Sequence, residues 1–246
     1  MATLLLRLAA PLQAWGTDDS KFETRKTERE PTKSGVLGMV AAALGYRRDE
    51  PEKLKELTKL RMGVRVDREG KLLRDFHTAH EIRTPKSHKN LASYISDRYY
   101  LSDAVFLVGL EGDDELLESI ALALTHPVFP LFLGRRSCPP TLPVLLGIRQ
   151  NELLDALIQE KPLVEIKQPR EARLYADGGL TDAKNVVGHA AKRDLPISYD
   201  PHCRKFGYRT VSECHPVLIK KDEDVPVQTK HDPFSELEDR YVSIEN

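Results

Sequence analysis

Hydrophobic and polar positions in the first part of the chain predict a strand followed by a helix. An apolar run at residues 3–10 indicates a buried strand. The segment PTKSG at residues 31–35 is typical of a helix start, with Thr32 or Ser34 as N-cap. Gly45 follows the apolar pattern and is a suitable helix end.

The pattern between residues 51 and 110 predicts a short helix and several strands. Residues 51–60 show an amphipathic helical period. The runs 62–66 and 72–75 flank Asp67-Arg68-Glu69-Gly70, which predicts a hairpin between them. Residues 77–97 show no sustained period, so we expect either a loop or a protruding irregular hairpin. Residues 99–110 are β-branched or aromatic and predict one long strand.

A helix and a further apolar run complete a recognisable order of elements. Asp113-Asp114-Glu115 opens an apolar stripe of helical spacing, and acidic residues in a first turn suit the helix dipole. The short apolar run 128–133 follows. The resulting order β-α-(α)-β-β-α-β matches a ferredoxin-like split βαβ unit, which is the layout of RNA-recognition folds. The sequence therefore predicts an α+β fold.

The pattern weakens toward the C-terminus. Residues 142–148 are an apolar run and residues 152–160 predict a helix. Beyond residue 161 the candidate strands are 163–167, 174–176 and 210–219. We therefore expect a ferredoxin-like domain over 1–160, a β-rich extension over 161–220, and an acidic, partly disordered tail over 221–246.

Composition and charge narrow the class of protein. The 246 residues include no long apolar window and no secretory signal, and three cysteines without framework spacing favour a reduced, cytoplasmic setting. The net charge of -1 hides an asymmetry. Residues 1–100 carry 20 Lys and Arg against 14 Asp and Glu, whereas the remainder carries 17 against 24. The basic half is where a polyanion would bind.

The N-terminal stretch carries the first candidate site. The amides of Ser34 and Gly35 and the Lys33 side chain are placed to hold a phosphate at a helix N-terminus, and Arg25 lies nearby in sequence. The alternative is an ordinary capped helix that packs closely through its glycines. Trp15 is either a core residue or a platform on which a base stacks.

Two other motifs carry candidate chemistry. In the segment Gly134-Arg135-Arg136-Ser137 adjacent arginines diverge, so we expect one to meet a ligand and the other an internal carboxylate. The segments His77-Thr78-Ala79-His80 and Lys86-Ser87-His88 allow phosphate contact or acid–base catalysis on RNA, and the His-x-x-His spacing of the first also allows metal binding. No third ligand accompanies the histidines, so we expect phosphate contact or solvent exposure and no metal.

Six collinear stretches carry a family resemblance: LRLAAPLQAWG from residue 6, PTKSGVLGMVAAALG from residue 31, LRDFHTA from residue 73, KSH from residue 86, YLSDA from residue 100 and LFLGRRSCPPTLPVLLG from residue 131. They resemble the CasD family of the type I-E CRISPR Cascade complex. Together they cover about the first 150 residues. After residue 161 the resemblance is reduced to scattered positions.

The resemblance implies a repeat-associated (RAMP) domain, similar to the RNA-recognition motif, with a protruding β-hairpin thumb at about residues 73–100. It implies a non-catalytic subunit that caps the 5′ handle of the CRISPR RNA and contacts the backbone subunit and the large subunit that reads the protospacer-adjacent motif. Target DNA would be met only through the complex, with no membrane and no cofactor. Type I-C relatives cleave repeat RNA, so a metal-independent endoribonuclease using His77, Lys86 or His88 is the alternative.

The expected RNA contacts combine both lines of reasoning. Phosphate contacts are assigned to Arg25, Lys33, the amides of Ser34 and Gly35, and Arg135 or Arg136. Base or sugar contacts are assigned to Gln13, Trp15, His77, Thr78 and His88. Lys86, Gly134 and Ser137 complete the predicted interface.

Overall fold

A seven-stranded sheet forms the centre of the molecule. The computed structural model describes residues 2–16, 23–84, 87–179 and 186–220, with the backbone alone for residues 81–92. The strands of this sheet are β1 (Ala2–Ala9), β4 (Arg61–Arg68), β7 (Val105–Gly112), β8 (Leu145–Arg149), β9 (Arg170–Asp177), β10 (Val186–Ser198) and β11 (Lys205–Ile219). They lie in the order β10-β11-β9-β4-β7-β1-β8, and every neighbouring pair is antiparallel.

A second sheet of four strands is built on a long hairpin. β5 (Lys71–Thr84) pairs with β6 (Ser87–Ser102), and β6 also pairs with the short strands β2 (Leu12–Gln13) and β3 (Thr24–Arg25). The described helices are α1 (Lys33–Ala43), α2 (Pro51–Thr58), α3 (Asp114–Thr125) and α4 (Leu153–Gln159). The fold is thus mixed, with antiparallel sheets dominating it.

Both faces of the large sheet are buried at β1, which explains the apolar run of that strand. Leu4 and Leu6 face a core that includes residues of α1 and α3, such as Leu37. Leu5 points to the opposite face and packs in a cluster with Leu157 of α4. Alternate residues of a strand point to opposite faces, so a strand covered on both sides must be apolar throughout.

Several predictions from the sequence are confirmed. The strand predicted over residues 3–10 is β1, and α1 begins after the N-cap Thr32, whose hydroxyl accepts from the Gly35 amide. Gly45 follows the helix with φ +77°, a conformation that favours glycine. The helices predicted at 51–60, from Asp113 and at 152–160 are α2, α3 and α4.

Two predictions near the hairpin are wrong. The runs 62–66 and 72–75 do not pair, because β4 belongs to the large sheet and β5 to the small one. The strand expected over 99–110 is broken at Asp103, which has φ +57° and takes the chain from β6 into β7. Residues 77–97 form most of the hairpin, which was one of the two alternatives left open.

The C-terminal predictions were also corrected. The runs 128–133 and 163–167 are not strands, and the strand that pairs with the outer edge of β1 is β8. β10 had not been predicted at all. β9, β10 and β11 continue the large sheet beyond β4. The prediction of partial disorder concerns residues 221–246, which lie outside the described residues.

A buried ion pair on β4 holds the end of α4 and the segment that follows it in place. Arg65 and Asp67 are fully buried, with Nε and Oδ1 2.6 Å apart. The Arg65 guanidinium also donates to carbonyls of α4 and the following turn, and the Leu163 amide donates to Asp67. Such a pair is stable only when its remaining hydrogen bonds are satisfied, as they are here. Within the described residues no helix has the length and apolar character to cross a membrane.

Candidate nucleic-acid interface

A groove of about 830 Å³ runs along α1 and is the candidate binding site. Its floor is the outer surface of α1, and its two walls are the segments 129–139 and 199–206. The remaining boundary is formed by residues 46–54, at the start of α2. Four of the floor residues are small, namely Gly35, Gly38, Ala41 and Ala42.

Arginines and aromatic rings line the walls of this groove. The arginines are Arg47, Arg48, Arg136 and Arg204, and all four are exposed. The aromatic residues are Tyr46, Phe129, Phe132, Tyr199 and Phe206. Basic side chains that follow a backbone, combined with aromatic faces on which bases stack, are typical of sites for single-stranded nucleic acid.

The helix N-terminus itself does not offer the predicted phosphate grip. Lys33 is buried and its Nζ lies 2.8 Å from Oδ2 of Asp177. The Lys33 amide donates to Oδ2 of Asp194 at 2.8 Å, and the Gly35 amide donates to Thr32. Carboxylates and a hydroxyl of the chain therefore already take these donors, and the structure does not support the phosphate contacts predicted for Lys33 and the Gly35 amide.

A single arginine joins the two carboxylates. Arg209 donates from Nε to Oδ1 of Asp194 at 2.6 Å and from Nη2 to Oδ2 at 2.8 Å, and it also contacts Asp177. Burial by itself would raise the pKa of Asp194, but the hydrogen bonds and charge of Arg209 outweigh it and hold that pKa below its usual range. The buried ion cluster consists of Lys33, Asp177, Asp194 and Arg209. It joins α1 to β9, β10 and β11.

Gln13 and Trp15 are core residues, so the structure does not support the base contacts predicted for them. Gln13 is fully buried and its Nε2 donates to the carbonyls of Leu8 and Ala104 at 3.2 and 2.8 Å. Trp15 is 1% exposed and lies beneath the first turn of α1. A Cβ built on Gly35 would lie 2.8 Å from its ring, which explains the glycine there.

The two adjacent arginines diverge as predicted, but the inward one meets carbonyls instead of a carboxylate. Arg135 donates from Nη2 to the carbonyl of Arg25 at 2.9 Å, and its guanidinium lies 4.6 Å from the centre of the Tyr100 ring. It therefore joins the base of the hairpin to β3. Arg136 is exposed in the groove, while the exposed Arg25 lies on β3 and is not among the groove residues.

The remaining predicted residues fall in two places. Ser34 and Gly134 line the groove, and Ser137 is exposed beside Arg136. His77 and Thr78 are exposed on β5, and Nε2 of His77 lies 3.2 Å from Oδ2 of Asp75. Lys86 and the side chain of His88 lie outside the described residues.

The structure thus brings together Ser34, Gly35, Gly134 and Arg136, and it adds groove residues that the sequence analysis missed. Arg47 and Arg48 lie shortly after the helix end at Gly45, with Tyr46 between, so an adjacent basic pair was an available signal. Arg204 and its aromatic neighbours lie in a segment whose pattern was weak, and only the packing of β10 and β11 places them beside α1.

Comparison with known proteins gives consistent matches over most of the chain. A family model described as CRISPR-associated protein (Cas_Cas5) matches residues 3–212. The CRISPR system Cascade subunit CasD of Escherichia coli (strain K12) is 35% identical over 227 residues, covering 84% of this chain and 92% of that protein.

Two solved structures resemble this one closely. A chain described as the crystal structure of a Cas protein is 37% identical, covers 89% of this chain and 98% of its own, and gives a TM-score of 0.70. A chain of a CRISPR RNA-guided surveillance complex is 32% identical, with coverage of 88% and 90% and a TM-score of 0.73.

Proposed function

Because the chain belongs to the Cas5 family of CRISPR-associated proteins, we propose that it is the Cascade subunit that binds the CRISPR RNA. It holds the 5′ handle of that RNA and joins it to the neighbouring backbone and large subunits. Target DNA reaches it through the assembled complex. The similarity to a Cascade subunit and to a chain of an RNA-guided complex supports this role over the whole matched length.

The observation that carries the proposal is the groove along α1, with its apolar floor and its four arginines. A single strand can place its bases on the floor and aromatic walls while its phosphates face the arginines. Arg47, Arg48 and Arg136 are the contacts we assign to phosphate. Ser34 and Gly134 contribute further surface to the groove.

We infer that residues 1–160 form a ferredoxin-like RAMP domain. The strand order β8-β1-β7-β4 supports this, since it is the order of a split βαβ unit in which helices follow the first and third strands. The β5–β6 hairpin is inserted between the second and third strands of that unit, and we assign it as the thumb. β9, β10 and β11 then form the C-terminal extension on the same sheet.

The thumb offers an apolar face to a neighbouring subunit. The register pairs Thr78 with Ile95, and alternation along the strands places Leu72, Phe76 and Ile95 on one face. These three side chains are 65%, 56% and 55% exposed. Exposed apolar side chains gathered on one face mark a surface for association with another protein.

We propose binding without cleavage. The described ring contacts of the hairpin histidines stay within the hairpin, since His77 contacts Asp75 and Nδ1 of His80 lies 3.0 Å from Oγ of Ser93. These contacts hold the rings on the thumb, whereas the groove lies along α1. The predicted RNA contacts of His77, Thr78, Lys86 and His88 then serve to grip the guide beside the thumb.

Assembly of the whole complex tests this function. The chain is co-expressed with the other Cascade subunits and a CRISPR array, and guide RNA is measured in the purified complex. We expect Arg47→Glu with Arg136→Glu to reduce the guide RNA and subunits recovered, because two phosphate contacts are reversed. Lys59→Glu, an exposed charge reversal away from the groove, is the control. Recovery equal to wild type in the double variant would contradict the assignment.

A further inference from the structure

The turn between β10 and β11 forms one wall of the groove. Tyr199, Arg204 and Phe206 all line it, and the rings of Tyr199 and Phe206 make an edge contact with centroids 6.3 Å apart. Arg204 is exposed, with its side chain on the groove side of the turn. This wall comes from the C-terminal extension, for which the sequence predicts no RNA contact.

The wall is fixed to the floor by a direct hydrogen bond. The Tyr199 hydroxyl donates to the carbonyl of Ser34 at 2.5 Å. Burial raises the pKa of Tyr199, so the hydroxyl stays protonated and remains a donor. The same ring lies against α1, since a Cβ built on Gly38 would lie 3.4 Å from the Tyr199 oxygen, an ordinary van der Waals distance.

The buried ion cluster fixes the strands that carry this turn. Asp194 of β10 and Arg209 of β11 lie on either side of the turn, and both belong to the cluster that holds the first residue of α1. The turn is therefore anchored at the tyrosine and again at the strands. An anchored turn presents its charged side chain at a fixed distance from the floor, which reduces the ordering cost of binding.

We propose that the β10–β11 turn is part of the RNA-binding site and that Arg204 contacts a phosphate of the bound single strand. Phe206 supplies apolar surface on the same wall. This inference rests on the proposed function, because it assumes that the groove holds RNA. It divides the phosphate contacts between two walls, with Arg136 on one and Arg204 on the other, so that the strand lies between them.

The adjacent Lys205 provides a matched control. It carries the same charge, is exposed on the same hairpin and follows Arg204 directly, yet it is not among the residues that line the groove. Loss of Lys205 changes the net charge of the protein as much as loss of Arg204 does. Any difference between the two variants therefore reports position relative to the groove.

The test measures the salt dependence of RNA binding by the full chain. A labelled single-stranded RNA with the sequence of the cognate handle is titrated at several salt concentrations with wild type, Arg204→Ala, Lys205→Ala and Arg136→Ala. The plot of log K against log[salt] has a negative slope, and loss of one phosphate contact makes this slope shallower by about 0.7. The change corresponds to about fivefold weaker binding at 0.1 M salt. We expect this change for Arg204→Ala and Arg136→Ala, with Lys205→Ala like wild type.

Each outcome decides one of the two assignments. If Arg136→Ala makes the slope shallower and Arg204→Ala behaves like Lys205→Ala, the inference about the turn is wrong while the groove assignment stands. If neither arginine variant changes the slope, the groove assignment itself is wrong. Arg204 is exposed, so its replacement leaves the core intact, and a thermal melt of each variant verifies folding.

Discussion

Gly134 tests whether the segment after residue 133 is shaped by the fold or by a ligand. From the sequence, Gly134 is predicted to lie at the RNA interface, and a glycine lets another backbone approach closely. In the structure the backbone that approaches is the chain's own. Gly134 has φ +86°, and a Cβ built on it would lie 1.6 Å from the carbonyl oxygen of Ala14.

Replacement of Gly134 by alanine therefore has two costs. The left-handed conformation alone costs about 1–2 kcal/mol for a residue with a Cβ. Separation of two backbone segments by more than an ångström adds an overpacking cost of roughly 1–3 kcal/mol. We expect Gly134→Ala to lower the free energy of unfolding by about 2–5 kcal/mol in total.

Gly179 separates these two costs experimentally. It has nearly the same φ, +87°, but a Cβ built there meets no described atom within 4 Å. Gly179→Ala is therefore expected to show the conformational cost of about 1–2 kcal/mol alone. Urea unfolding of the purified chain followed by circular dichroism measures both variants. Equal losses for the two variants, or no loss for Gly134→Ala, would refute the close approach to Ala14 as the reason for the glycine.

Three further predictions concern the buried residues. Lys33→Met leaves Asp177 with a single cationic partner, so we expect the free energy of unfolding, measured in urea, to fall by about 3 kcal/mol. The salt dependence of RNA binding should be unchanged. A weaker salt dependence would mean that Lys33 contacts phosphate. The lowered pKa of Asp194 contributes stability that is present above the pKa of the unfolded chain and is lost as pH falls through the folded value. The stability difference between wild type and Asp194→Asn should then shrink below about pH 4, and a difference that stays constant from pH 6 to 3 would contradict this. Trp15 is the single tryptophan and is buried, so handle RNA should leave its fluorescence emission unchanged, whereas strong quenching would indicate a stacked base.

Local signals accounted for the helices well. The hydroxyl of Thr32 and the carboxylate of Asp113 cap α1 and α3 as their sequences indicate, since an N-cap is decided by residues within one turn. The break at Asp103 was missed because residues 99–110 are apolar or β-branched on both sides of it. Only the switch of the chain between two sheets explains a positive φ there.

Charged side chains were harder to place, because their partners are distant in sequence. Lys33 and Arg135 are basic residues beside turns, which is also the pattern of phosphate contacts. Lys33 is paired with Asp177, which is 144 residues away, and Arg135 with carbonyls 109 and 110 residues away. Sequence spacing does not reveal such pairs. Arg136 is the next residue after Arg135, yet it is exposed and lines the groove.

The helix N-terminus shows the same limit. A free first turn binds anions through its amides, and PTKSG indicates such a turn. Here Asp194 supplies the anion from within the chain. Its position became predictable only once β10, which had no clear sequence pattern, was seen beside α1. The groove remains cationic through arginines on its walls instead.

Incubation of the purified chain with labelled cognate repeat RNA in EDTA shows whether the chain binds this RNA without cutting it. One sample is divided between a native gel, which reports binding, and a denaturing gel, which reports cleavage. We expect a shifted band that is weakened in Arg136→Ala, together with RNA of unchanged length. Specific cleavage that is lost in His77→Ala or His88→Ala would contradict this expectation and would establish the endoribonuclease alternative.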